Sequence, residues 1–428
     1  MSAMVLAVSV NLPPRWCRIT IVFLVVFVPV HLSLLHAYSN EVWLTSHAAA
    51  SMMSNVPTSE LQHVQMVLRV PKKSTTIAYA ISVTSCQLNQ TGTVLDGPAV
   101  LSHSIHQVHA DSVYEYQLYA FVHPNALPCA TPLRQLGFKT LMRNVPIDVR
   151  NIQSASYRRA VETRGCCGSL EFLKLWAYTL VDHDIVVHVD TDVFFHKSID
   201  PIFNRMLQLP VVDGTTTPPT GSTTSPINSL ALLHTHHHTD NNVTLPLQID
   251  FLFTRDYHQQ STITTDPTRY GVQGGFFVAR PSLAVFDEMK SILLQGQYRE
   301  HDGWGRAYHG GYWGASQVQG FLSYYYTTVH PEQAVELNHC LYNAMLDDPM
   351  DRSGKCRTRT ETCQDCRQVA LADMFSIHLT VCWKPWQVSV CSLMTMQYRF
   401  LQRQTHLLTL LIDSFRIVPT NIVPFSGP

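Results

Sequence analysis

Residues 185–200 read IVVHVDTDVFFHKSID: a β-branched run, Ile185–Val189, then Asp190, Thr191 and Asp192, then a second apolar run. Unbroken apolarity of this kind suits a strand covered on both faces. Side chains two apart along a strand share a face, so both carboxylates point the same way where the strand emerges. Paired anions repel each other, and the usual resolutions are a shared proton or a bound cation. Hard oxygen donors suit Mg²⁺ or Mn²⁺. A second D-x-D, Asp182-His183-Asp184, precedes the apolar run and reads as a polar turn. A solvated turn is also the competing reading of Asp190 and Asp192 until other residues join them.

Outward from this stretch, Leu170–Leu180 carries apolar residues at helical spacing. Strands are expected at 77–84, at Tyr116–His123 and at Phe138–Ile147. Beyond it, Ile249–Phe253 and Gly271–Arg280 read as further strands. Strand and helix in alternation predict an α/β fold, a mixed, mostly parallel sheet flanked by helices. Asp250 reads either as a sugar contact or as a capped strand end, and Tyr324, Tyr325 and Tyr326 read as core and rim. Residues 213–247, rich in Thr, Ser, Pro and His, read as a disordered insertion. There His234, His236, His237 and His238 are better explained by a polar loop than by a metal site.

Only 14% of residues are charged and the net charge is −1, while 46% are hydrophobic. The chain can bury a large core and carries no basic stripe for nucleic acid. Arg15 and Arg18 precede Ile19–Leu35, an uncharged and mostly apolar span interrupted by Pro29 and His31. About 20 apolar residues cross a bilayer, and positive charge stays on the cytosolic side. The expected organisation is a cytosolic tail at 1–18, a signal anchor at 19–35, a stem at 36–75, a folded domain at 76–391 and a helical tail at 392–428. This predicts a single-pass type II protein of the Golgi or endoplasmic reticulum membrane with its domain in the lumen, or a secreted chain if the span is cleaved.

Of 11 cysteines, Cys17 falls beside the span and ten remain: Cys86, Cys129, Cys166, Cys167, Cys340, Cys356, Cys363, Cys366, Cys382 and Cys391. An oxidising lumen favours disulfides over a Zn²⁺ knot at Cys363-x-x-Cys366, with connectivity left open. Two sequons, at Asn89 and Asn242, agree with lumenal glycosylation.

Several motifs in order resemble the family 8 glycosyltransferases, the retaining group that includes glycogenin and the galactinol synthases. The opening strand, Ile77–Ser85, resembles the family's strand beside the nucleotide, and the helix carrying Lys174 resembles the one whose basic residue approaches the donor. Val187–Val193 resembles the metal-binding strand end. Val272-Gln273-Gly274-Gly275-Phe276-Phe277-Val278 resembles F-N-[SAG]-G-apolar, with Gln273 for Asn. Val318-Gln319-Gly320-Phe321-Leu322-Ser323-Tyr324 resembles D-Q-G-L-L-N-x, with Val318 in place of the acid. His378–Trp386 resembles H-x-x-G-x-x-K-P-W with Val381 for glycine, about 190 residues beyond the D-x-D.

The resemblance implies a GT-A type domain and a hexosyltransferase that uses a UDP-sugar donor and Mn²⁺ or Mg²⁺. Asp190, Asp192 and His378 would be the metal ligands. Thr84, Lys174, Asp190, Gln273, Gly274 and Lys384 would bind the donor, with Gln319 and Lys384 serving catalysis. The acceptor is a glycan, protein or small molecule of unknown identity. A catalytically weak nucleotide-sugar-binding protein is the alternative, favoured by Val318 and Val381. A sugar nucleotidylyltransferase would need a glycine-rich basic loop near the first strand, which residues 77–100 lack.

Overall fold

The computed structural model describes residues 6–7, 22–23, 75–86, 95–165, 167–207, 248–259 and 266–380. In chain order they include β1 (Thr76–Val83), α1 (Asp96–Val108), β2 (Glu115–Val122), β3 (Lys139–Met142) and α2 (Ala155–Thr163). A 3₁₀ helix over Gly168–Thr179 follows, then β4 (Ile185–Val189), β5 (Val193–Phe195), β6 (Phe251–Arg255) and β7 (Val272–Ala279). The remaining labelled elements are α3 (Leu283–Gln295), α4 (Val318–Tyr324), β8 (Ala334–Glu336) and β9 (Ser376–His378).

Seven strands form one sheet in the order β8-β6-β7-β4-β1-β2-β3. Neighbours are parallel except at β7, which runs antiparallel to both β4 and β6. The expected mixed, mostly parallel sheet is therefore found. Strand alternation divides its faces. Ile77, Tyr79 and Ile81 of β1, with Ile185, Val187 and Val189 of β4, pack on Leu101 and Ile105 of α1. On the other face Ala78, Ala80 and Val186 meet Phe172 and Leu175 of the 3₁₀ helix, Phe286 and Met289 of α3 and Phe321 of α4. The alanines leave room for close helix approach. All five residues of β4 are buried, as its unbroken apolar run predicts.

Differences from the expected elements have local causes. The third strand ends at Met142, which pairs with Val122, the last residue of its partner strand β2. The segment expected as a helix from Leu170 starts at Gly168, whose φ of 58° lies in the left-handed region that favours glycine. Tyr325 and Tyr326 are core, the latter stacked on Phe251 at 3.8 Å.

Among the described residues three disulfides close: Cys86–Cys129, Cys340–Cys366 and Cys356–Cys363. Cys363 and Cys366 thus belong to different bridges, and neither thiol is available to zinc.

The chain divides between Lys72 and Lys73 into two units. In the first, Leu6–Ala7 and Val22–Phe23 pair as short antiparallel strands. The expected anchor helix at 19–35 is described only at Val22–Phe23, and there the backbone is extended, which suits a Val-Phe pair. Among the described residues no helix is long and apolar enough to cross a membrane. The stem expected at 36–75, apart from Thr75, and the insertion, Lys384, Val381 and the tail lie outside the described residues.

Candidate metal and donor site

β4 delivers Asp190 to the carboxyl edge of the sheet, where its backbone N–H donates to Gly275 O of β7 at 2.8 Å. The chain then turns through Thr191 and Asp192, with Val193 N–H donating to Asp190 O at 3.2 Å, and enters β5. β5 pairs antiparallel with β9, setting His378 opposite Val193, and Leu379 N–H donates to Asp192 O at 3.0 Å. This ribbon joins segments far apart in sequence. The candidate ligand atoms of Asp190, Asp192 and His378 all lie within 4.8 Å of one another. His378 Nε2 sits 3.2 Å from Asp192 Oδ1.

The imidazole is held from behind. His378 is 1% exposed, and its Nδ1 lies 3.1 Å from Asn343 Oδ1, while Asn343 Nδ2 donates to Thr254 Oγ1 at 2.9 Å. An amide oxygen can only accept, so Nδ1 carries a proton toward Asn343, and Nε2 is the nitrogen that faces the carboxylates. Gly275 keeps the space open. A Cβ there would stand 2.6 Å from Asp190 Oδ2 and 2.5 Å from His378 Cε1, filling the gap between the ligands. Two carboxylates and one imidazole nitrogen around such a gap fit an octahedral divalent cation, and the nitrogen donor favours Mn²⁺ over Mg²⁺.

Lys174 is placed differently from expectation. Its ammonium has three donors, and three acceptors meet it: Asp190 Oδ1 at 2.9 Å, Glu171 Oε2 at 3.2 Å and Gly274 O at 3.1 Å. None is left for a diphosphate in this arrangement, so the side chain braces the site. Burial works against its charge, but Asp190 and Glu171 outweigh burial and hold its pKa above the ordinary lysine range. Burial also pushes the Asp190 carboxyl up, opposed first by Lys174. With a second carboxylate on the same ammonium, the ion-paired form is the one the geometry supports.

The other expected residues gather along the same edge with distinct roles. Thr84 follows the last residue of β1, at the carboxyl edge that parallel β1 shares with β4. Gln273 is buried and its Oε1 accepts from Gly275 N–H, which commits half of its amide to its own strand. At Gly274 a Cβ would lie 2.8 Å from Gln319 Cγ and 3.2 Å from Val318 Cγ1, so the glycine admits α4. Among the described residues, Gln319 Nε2 is buried with no hydrogen-bond partner. Val318 is fully buried in the apolar core.

Asp250 sits at the start of β6, at the opposite edge of the sheet. There it pairs with Arg280 at 3.2 Å, so it caps a strand and makes no sugar contact. Sequence reasoning missed Glu171, Asn343, Thr254 and Gly275. The i,i+3 spacing of Glu171 and Lys174 could have suggested the first; nothing local marks Asn343. A further cluster, His339, Cys340 and Cys366, offers no metal site because both sulfurs are bonded in the Cys340–Cys366 disulfide.

No family model and no curated protein matches the sequence. Among solved structures, mouse xyloside xylosyltransferase 1 in its apo form is similar over 72% of this chain and 98% of its own, at 11% identity and a TM-score of 0.41. The galactosyltransferase LgtC, solved with donor and acceptor sugar analogues, is similar over 76% and 94%, at 13% identity and a TM-score of 0.36. The glycosyltransferase GlyE of Streptococcus pneumoniae TIGR4 is similar over 80% and 63%, at 11% and 0.38. At such values the likeness assigns neither fold nor chemistry to this chain.

Proposed function

We propose that the chain is a metal-dependent glycosyltransferase of GT-A type that moves a hexose from a nucleotide sugar, in our reading a UDP-sugar, to a glycan, protein or small-molecule acceptor with retention at the anomeric carbon. The observation that carries this reading is the meeting of Asp190, Asp192 and His378 at the carboxyl edge of the sheet, the edge where open α/β sheets bind their ligands. Asp190, Asp192 and His378 hold Mn²⁺ or Mg²⁺. When bound, the cation acts as a Lewis acid toward the departing diphosphate.

The chain's own residues orient and polarise. Lys174 fixes the Asp190 carboxylate through a 2.9 Å contact, so the ligand is preorganised and costs little reorganisation during transfer. Gln319 offers a buried amide nitrogen to a donor-sugar oxygen, which would satisfy an otherwise orphaned group. Lys384, assigned by its K-P-W motif, supplies a compact positive charge to the diphosphate. Thr84 borders the nucleotide. The three disulfides and the two sequons support a lumenal site of action, in the Golgi or endoplasmic reticulum behind a type II anchor at 19–35.

Incubating the full chain with UDP-sugars and Mn²⁺ while measuring UDP release tests the reading. Asp192→Ala should lower release by about 10³-fold. Equal rates in wild type and variant would remove the metal-site mechanism. NMR of the first-formed product reports whether configuration is retained. A second reading, a nucleotide-sugar-binding protein without turnover, is favoured by one feature: Val318 is apolar and fully buried where the motif has an acid. Saturable UDP-sugar binding with no release under any donor would select it.

A further inference from the structure

A cavity of about 720 Å³, a size typical of small-molecule sites, opens between α2 and the loop before α4. None of the three candidate metal ligands lines it. Its wall includes Trp313, Tyr312, Tyr298, Arg164, Glu300 and His301. Trp313 is 61% exposed, the most exposed large apolar side chain among the described residues, and it shares the cavity wall with two further aromatic rings, Tyr298 and Tyr312. The loop that presents it bends at Gly311 (φ 75°) and Gly314 (φ 78°), conformations that other residues rarely adopt.

Two connections run from this cavity to the metal site. At Gly314, the residue after Trp313, a Cβ would lie 3.5 Å from Gln319 Oε1, which puts the Trp313 backbone within about 10 Å of that amide. Gln319 in turn packs on Gly274, the neighbour of Gly275 at the ligands. On the other wall, Arg164 O accepts from Gln317 Nε2, two residues before Gln319.

The lining charges cancel. Arg164 Nη2 meets Glu300 Oε1 at 2.6 Å, with both side chains more than half exposed, so the cavity offers no net cation to a diphosphate. An exposed indole beside a planar, polar ion pair suits a neutral polyol. Its C–H face can stack on the ring while its hydroxyls bond the guanidinium and the carboxylate.

We propose that this cavity is the acceptor subsite, that it takes the terminal sugar of a neutral saccharide, and that Trp313 is its stacking platform. The proposal rests on the transferase reading and adds to it the class of acceptor. Sugar rings stacked on Trp313 and extending past Gly314 would bring a hydroxyl toward Gln319 and the donor.

The test uses the full chain and methyl glycosides of glucose, galactose and xylose, followed by saturation-transfer NMR. At least one glycoside should bind saturably. Trp313→Ala should weaken that binding about tenfold or more, and Trp313→Phe should keep part of it. Asp192→Ala should keep the glycoside signal while losing nucleotide release. If no glycoside binds, if Trp313→Ala binds as wild type does, or if Asp192→Ala loses the glycoside signal, the subsite is overturned. Saturable glycoside binding in a protein that releases UDP from no donor would leave the saccharide site standing and remove the transferase reading instead.

Discussion

Asn343 illustrates how a single residue can govern a site without touching a ligand. It links a buried imidazole to Thr254 at 3.1 and 2.9 Å, and so selects which ring nitrogen faces the acids. Asn343→Ala should cost roughly 10–100-fold in Mn²⁺ affinity, read by calorimetric titration or as a smaller Mn²⁺-induced rise in Tm. Unchanged affinity would mean that packing alone orients the ring.

Two other histidines fix an acid limit on stability. Burial lowers the pKa of His309 to about 3 and that of His109 to about 4. Arg269 and Arg255 add to the effect at His309, with Asp266 opposing, whereas Asp200 opposes it at His109. A histidine depressed in the folded state binds its proton more weakly there than in the unfolded chain. Its stabilisation is therefore complete above about pH 6.5 and erodes as pH falls toward the folded value, by about 1.4 kcal/mol for each tenfold difference in proton affinity between the two states. Urea denaturation should show stability falling steadily from about pH 6.5 to 4, with His309→Asn flattening the slope.

At the scale of elements, the β5–β9 ribbon is the device that completes the candidate ligand set, and β7 is its floor. Gly275 on β7 has no room for a methyl group between Asp190 and His378. Gly275→Ala should fold, since neither displaced neighbour is backbone, yet lose Mn²⁺ binding by at least about tenfold, measured by the same titration. Retained affinity would mean that the acids relax away without cost. The strand β4 and its paired acids were legible because an unbroken apolar run and the two-residue spacing of the acids are both local properties of the chain. Legible in the same way were β1, β2 and the strand around Gly274. The helix carrying Lys174 was legible as a helix, but the partners of its ammonium were not, since they come from Glu171 and from two different strands.

Over the whole molecule, covalent bridges hold the far end of the site. Cys340–Cys366 and Cys356–Cys363 staple the segment leading into β9, while Cys86–Cys129 closes a loop over a separation of 43 residues. Removing that last bridge should cost about 2–5 kcal/mol, seen as a lower Tm in the Cys86→Ala, Cys129→Ala double variant than in the wild type. No change in Tm would show that the loop is held by packing alone.

The sequence by itself determined the α/β alternation, the metal-competent carboxylate pair, the oxidisable cysteines and the motif that marked His378. Each is written in residue type and short-range spacing, which act through strand pleat and side-chain chemistry without reference to distant chain. Only the tertiary structure decided that His378 meets Asp192, that Lys174 is spent on carboxylates, that Asp250 lies at the wrong edge, and which cysteines pair. Those outcomes depend on strand order and register, and register arises from burying two faces of one sheet at once, a condition no local window of sequence contains.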